Sequence, residues 1–145
     1  MGGVQFWGLP QYPHTPCYRT FETLVDANAH LYEFVVPMVP PTWNEKKRVE
    51  EYVALMEKGT VPTAVAISTL DVCQSALGPA DDPAAHWGLT HFLLDGHHKL
   101  EAAATARRPV RLLSLLTLGE SLAGAEDAAR LPALRAQSHS ARATG

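Results

Sequence analysis

The chain has 145 residues, 46% hydrophobic and 19% charged, a length that fits one packed core and a composition too apolar for a disordered chain. Twelve Lys and Arg against fifteen Asp and Glu leave a formal charge of -3, so no overall positive field exists to hold a polyanion and generic nucleic-acid binding is disfavoured. No apolar run reaches the roughly 18 to 20 residues that cross a bilayer, the first residues lack the basic start and apolar stretch of a secretory signal, and Cys17 and Cys73 form no disulfide framework, so a cytoplasmic protein without a membrane span is expected.

Residues 1–17 carry three Pro and three Gly among aromatics, which predicts an irregular arm. Tyr18, Phe21, Leu24 and Val25 recur at helical spacing and predict a short helix ending near 28–30, the limit of an N-terminal segment 1–30. Residues 31–36 then read as a strand, and Pro37, Pro40 and Pro41 behind it make an edge position the expected one. The best-signalled helix spans 43–58: Thr42 can cap it, Glu45 completes a capping box, Gly59 closes it, and Val49, Tyr52, Val53 and Met56 form its apolar stripe.

Residues 64–72, rich in small and β-branched side chains, read as a strand, and Gly78 to Pro83 as an exposed loop. Residues 87–94 are apolar on both faces, as a central strand would be. Asp95-Gly96 ends that strand, and 97–107, with Leu100 and four alanines before Pro109, reads as a helix. A last strand is expected over 110–118 and closes a core domain of 31–120. Beyond it lies an Ala-rich C-terminal segment, 121–145, with 126–131 helical and 137–145 a frayed tail. The alternation predicts a small single α+β domain, a mixed sheet with packed helices.

Chemistry concentrates in Leu94-Asp95-Gly96-His97-His98-Lys99-Leu100-Glu101-Ala102-Ala103, where strand, turn and helix meet on polar residues. The first N–H groups of a helix have no internal partner and lie at the positive end of its dipole, so they bind anions, and a glycine lets the anion approach. Gly96, His97, His98 and Lys99 are therefore the candidate phosphate-binding residues. Asp95, His97 and His98 are the candidate catalytic ones, Asp95 either holding Mg²⁺ or a substrate hydroxyl or simply capping the helix. Glu101 reads as a surface charge or a partner of Lys99 or a nearby Arg.

These ten residues resemble the strand, Gly-containing turn and helix of the ParB/sulfiredoxin-like superfamily. The helix 48–58 before Gly59 and Pro62, and the strand 64–72, extend the resemblance over residues 42–118. The resemblance implies a nucleotide held at the turn (ATP, ADP or CTP, with Mg²⁺) and a small-molecule substrate. Sulfiredoxin-like members carry a reactive Cys in the turn, where this chain has His97, and partition members continue into a helix-turn-helix domain, for which the Ala-rich tail is too short. What remains resembles the branch of small-molecule kinases that phosphorylate free serine; their acidic residue lies near the N-terminal strand, where Glu33 and Glu45 stand here.

Two other readings compete. His86, His91, His97 and His98 with Asp95 have the donor types of a Zn²⁺ or Fe²⁺ site, although no HExxH spacing occurs and His91, inside a strand, fits a buried hydrogen-bonded residue better. The other is a non-catalytic module that binds a partner.

Overall fold

The computed structural model describes residues 5–7, 17–19, 23–26, 29–74 and 85–143. In chain order they form β1 (Gln5–Trp7), β2 (Cys17–Arg19), β3 (Thr23–Asp26), β4 (Ala29–Pro37), a 3-10 turn (Pro41–Trp43), α1 (Lys46–Glu57), β5 (Thr63–Gln74), β6 (Ala85–Asp95), α2 (His97–Ala106), β7 (Arg111–Leu116) and α3 (Ala125–Ala143). The strands make one mixed sheet in the order β1-β2-β4-β6-β5-β7, with β3 also paired to β4. The α+β expectation holds. Strand β6 is central, parallel to β4 on one side and antiparallel to β5 on the other, while β7 lies parallel to β5 at the sheet's edge.

Period-two alternation fixes the inward side chains: Leu31, Glu33 and Val35 on β4, Leu89, His91 and Leu93 on β6, and Ala66, Ser68 and Leu70 on β5 are all buried. Toward the C-terminal ends of β4 and β6 this face packs on α1 and α2 through Val49, Met56, Leu100, Ala102 and Ala103. The alanines of α2 let the helix approach the sheet closely. Toward the other end, α3 covers it with Leu131 and Leu134 against Leu31, Leu70 and Trp87, and the Arg130 guanidinium sits 5.0 Å from the centroid of the Trp87 ring.

Several expectations change. Residues 18–25 are not a helix: β2 and β3 pair antiparallel with β4, Tyr18 opposite Val35 and Leu24 opposite His30. The segment is short and rich in aromatic and β-branched residues, and tertiary pairing overrides its helical spacing. The same pairing makes β4 an interior strand instead of an edge, because its prolines fall at or beyond its last residue, where no ladder bond is lost. Thr42 caps nothing: Pro41 opens the 3-10 turn, Asn44 is extended, and Glu45 is the N-cap of α1 without a side-chain cap bond. Residues 125–143 form one helix that runs through Pro132 instead of a short helix and a tail. The loop expected over 78–83 lies outside the described residues, as does most of 1–17, of which 5–7 pair with β2. No helix among the described residues is long and apolar enough to cross a membrane.

Candidate functional site

The carboxyl ends of the parallel pair β4 and β6 lie side by side, Pro37 opposite Leu93. From β4 the chain enters residues 38–45. From β6 it turns at Gly96, which adopts φ +105, straight into α2. A side chain at Gly96 would collide with β5, its Cβ falling 2.7 Å from the Ala64 Cβ. Glycine is thus required there by backbone conformation and by packing, independently of any ligand.

The polar residues that open α2 fasten the 38–45 segment in place. The Met38 N–H donates to His97 Nε2 at 3.1 Å and the Glu45 N–H donates to His98 Nε2 at 3.0 Å. Asn44 Nδ2 donates to Glu101 Oε2 at 2.6 Å. Both imidazoles must be unprotonated at Nε2 to accept these bonds, so in the neutral state each carries its proton on Nδ1. Partial burial, and the neighbouring His98, push the His97 pKa below its ordinary 6.5, with Asp95 opposing, so the ring stays neutral at neutral pH. The adjacent histidines therefore act as two clamps on one loop, and an imidazole so engaged adds no positive charge for an anion. Lys99 Nζ donates to the Thr63 carbonyl at 2.8 Å and lies 6.0 Å from the Tyr52 ring centroid. Its charge persists because a carbonyl neutralises nothing. Asp95 is exposed at the strand end. Beneath, the buried Tyr18 hydroxyl is pushed up to about 12 by burial and then by the Glu101 carboxylate, and stays protonated.

Between the 38–45 segment, α1 and α2 runs a groove of about 620 Å³. Val49, Val53 and Ala54 form apolar wall, and Glu50, Glu57 and Glu101 outnumber Lys46 around it.

A second constellation crosses the sheet between the two apolar clusters. Glu33 Oε1 accepts from His91 Nε2 at 2.9 Å, and His91 Nδ1 pairs with Ser68 Oγ at 2.5 Å. Ser68 Oγ pairs in turn with Ser114 Oγ, which lies 3.3 Å from His91 Nδ1. With the His91 proton on Nε2, a consistent chain of donors runs Ser114 to Ser68 to His91 to Glu33. The carboxylate, imidazole and hydroxyls are those of a hydrolase's nucleophile chain, but Ser68 is 0% and His91 1% exposed, so no substrate reaches that hydroxyl or the imidazole, and only Ser114, on the edge strand, is half-buried. The row is a buried polar strap, and no buried side-chain polar atom among the described residues lacks a partner. Sequence reading anticipates a buried His91 but misses Ser68 and Ser114. Their signal is a hydroxyl at an inward position of an otherwise apolar strand.

The histidines proposed as metal ligands do not converge. His86 is on the outer face beside Tyr32, ring centroids 6.2 Å apart, His91 is on the inner face, and His97 and His98 hold the 38–45 segment. Among the described residues no group of three His, Cys, Asp or Glu is placed to hold a metal ion. No family model, curated protein or solved structure matches the chain.

Proposed function

We propose that this domain binds a phosphate-bearing small molecule, a nucleotide by class, at the junction of β6 and α2. One observation carries the reading: the carboxyl ends of two adjacent parallel strands meet where Gly96, at φ +105, turns the chain into a ten-residue helix. Ligands of open α/β sheets collect at strand carboxyl ends, and first-turn amides at the positive end of a helix dipole favour phosphate. In this reading the backbone N–H groups of His97, His98 and Lys99 hold the anion and the Lys99 ammonium adds charge. His97 and His98 are positioning residues that keep the 38–45 segment beside it. Mg²⁺ fits without a cage of protein ligands, since it is held mainly by substrate phosphates and one or two carboxylates, for which Asp95 is available. The resemblance to the ParB/sulfiredoxin-like superfamily points to the same ligand class and to transfer onto a small hydroxyl acceptor, for which the adjoining groove offers space. Calorimetric titration with Mg²⁺ complexes of ATP, ADP and CTP, and with pyrophosphate, tests it. Saturable heat with at least one nucleotide, competed by pyrophosphate, is expected; no heat with any of them at millimolar concentration overturns the reading.

A second reading rests on the groove itself. Its apolar wall and its excess of carboxylates, Glu50, Glu57 and Glu101 against Lys46, suit a basic amphipathic segment of a partner protein. Charge reversal at Glu50 and Glu57 separates the two, because it would abolish such a complex and leave pyrophosphate binding intact.

A further inference from the structure

Strand β7 closes one end of the sheet, with β5 on one side of it and no described strand on the other. Four of its six residues are leucine, yet none is buried: Leu113 and Leu115 are 58% and 62% exposed, and Leu112, Ser114 and Leu116 are half-buried. Natural edge strands are guarded against pairing by charge, proline or a bulge. Residues 112–118 contain no charged residue, no proline and no glycine, and β7 pairs with β5 without a register shift.

The phase of the ladder fixes which groups this edge offers. The Arg111 N–H donates to the Pro62 carbonyl at 2.8 Å and the Thr117 N–H to the Ser68 carbonyl at 2.9 Å. Bonding residues alternate along a parallel pair, so 111, 113, 115 and 117 turn their N–H and C=O groups to β5, and Leu112, Ser114 and Leu116 turn theirs away from it. The sequence around these groups, Leu112-Leu113-Ser114-Leu115-Leu116, is a palindrome centred on Ser114. Its flanks have opposite charge: exposed Arg107, Arg108 and Arg111 precede it, and exposed Glu120 follows.

We propose that two copies of this chain join edge to edge, β7 antiparallel to β7, about a two-fold axis that passes beside Ser114 perpendicular to the sheet. One axis accommodates every feature of the edge. Ser114 faces Ser114 of the other copy and Leu112 faces Leu116, in hydrogen-bonded pairs that exchange two bonds each, about six in all, so every outward group of 112, 114 and 116 is used. Leu113 faces Leu115 in the closer, non-hydrogen-bonded pairing, and the exposed leucines of the two copies cover one another. The arginine flank of one copy meets the Glu120 flank of the other, whereas parallel pairing would set like against like. Moving the axis to Leu113 or Leu115 keeps the phase but engages only about four of the bonds within 112–116. A patch complementary to itself in this way meets the requirement of an isologous contact. The contact rests on main-chain bonds over a short strand and is smaller than a standard interface, so the dimer is a weak and reversible one. The junction of β6 and α2 lies two strands in from this edge, and the pairing does not depend on the ligand proposed there.

Sedimentation equilibrium from about 10 µM to about 1 mM protein, with amide hydrogen exchange at both ends of that range, tests the pairing. The mass should rise with concentration from the 15.7 kDa of one chain toward twice that value. The amides of Leu112, Ser114 and Leu116 should gain protection at the upper end, whereas those of Leu113 and Leu115, turned to β5, should be protected at both. Ser114→Pro removes an N–H that β5 does not use and should hold the protein monomeric. Ser114→Ala, which loses the hydroxyl and keeps the N–H, should still pair. Glu120→Lys should weaken the association about threefold, the scale of an exposed ion pair, without touching the strand. The mass of one chain across the whole range overturns the proposal and leaves the edge to another segment or another protein. A dimer in which the amides of 112, 114 and 116 exchange as fast as in dilute protein also overturns it, and that outcome is read on the wild type, whatever the proline does to folding.

Discussion

Gly96 and Ala64 approach so closely that a Cβ on Gly96 would lie 2.7 Å from the Ala64 Cβ and 3.0 Å from its Cα. Neither atom belongs to a flexible chain end, and Ala64 is fully buried, so β5 itself would have to move. Gly96→Ala combines this overpacking with a left-handed backbone and should cost about 2–4 kcal/mol in chemical denaturation. Adding Ala64→Gly should recover the steric part and leave the conformational part, so the double variant should be more stable than Gly96→Ala alone. A cost below about 1 kcal/mol for Gly96→Ala would show that the junction is looser than the geometry says.

The same junction separates what is legible in the sequence from what is not. Strand β6 and helix α2 are legible because Asp95-Gly96 and Pro109 punctuate them and Leu100, Ala102 and Ala103 supply one apolar side. The clamps are not, because a histidine accepting the N–H of Glu45 depends on where the 38–45 segment folds back, 53 positions away. The strap of Glu33, His91, Ser68 and Ser114 is hidden for the same reason: it needs the registers of β4, β6, β5 and β7 all at once. Residues 18–25 mislead because four apolar positions in eight fit either period, and only pairing with β4 decides.

His91 is the centre of the buried strap. His91→Leu withdraws the Nε2–H donor from a buried carboxylate and the partner of Ser68 together, and should cost about 2–4 kcal/mol. Pairing it with Glu33→Leu should cost less than the two single changes added, since one buried charge disappears with its donor. Urea denaturation of the four proteins measures the coupling, and strict additivity would mean that the two side chains do not share a bond.

The Met38 N–H bond requires a neutral His97. Its folded pKa lies below the ordinary 6.5, so the unfolded chain takes up the proton first: the stabilisation is complete above about pH 6.5 and is lost as pH falls through the folded value. Between about pH 7.5 and 5.5 the wild type should lose more stability than His97→Gln, whose amide oxygen accepts the same N–H without titrating. Parallel losses in the two proteins would remove His97 from the pH response.

Lys99 supplies the one side-chain charge assigned to the bound phosphate. Lys99→Ala should weaken pyrophosphate binding about tenfold, the scale of a single charge-assisted hydrogen bond, with circular dichroism confirming that loss of the Thr63 contact leaves the fold intact. Unchanged affinity would assign the ammonium to the Thr63 carbonyl alone.

The phosphate site itself is tested most directly by its backbone amides. In ¹⁵N-labelled protein titrated with pyrophosphate and with Mg²⁺-ATP, the amide resonances of His97, His98 and Lys99 should move saturably and together, downfield as expected for N–H groups that gain an anionic acceptor, while the amides of β7 and α3 stay still. Resonances at 97–99 that remain fixed at millimolar ligand, or shifts confined to other parts of the chain, would contradict phosphate binding at the junction of β6 and α2.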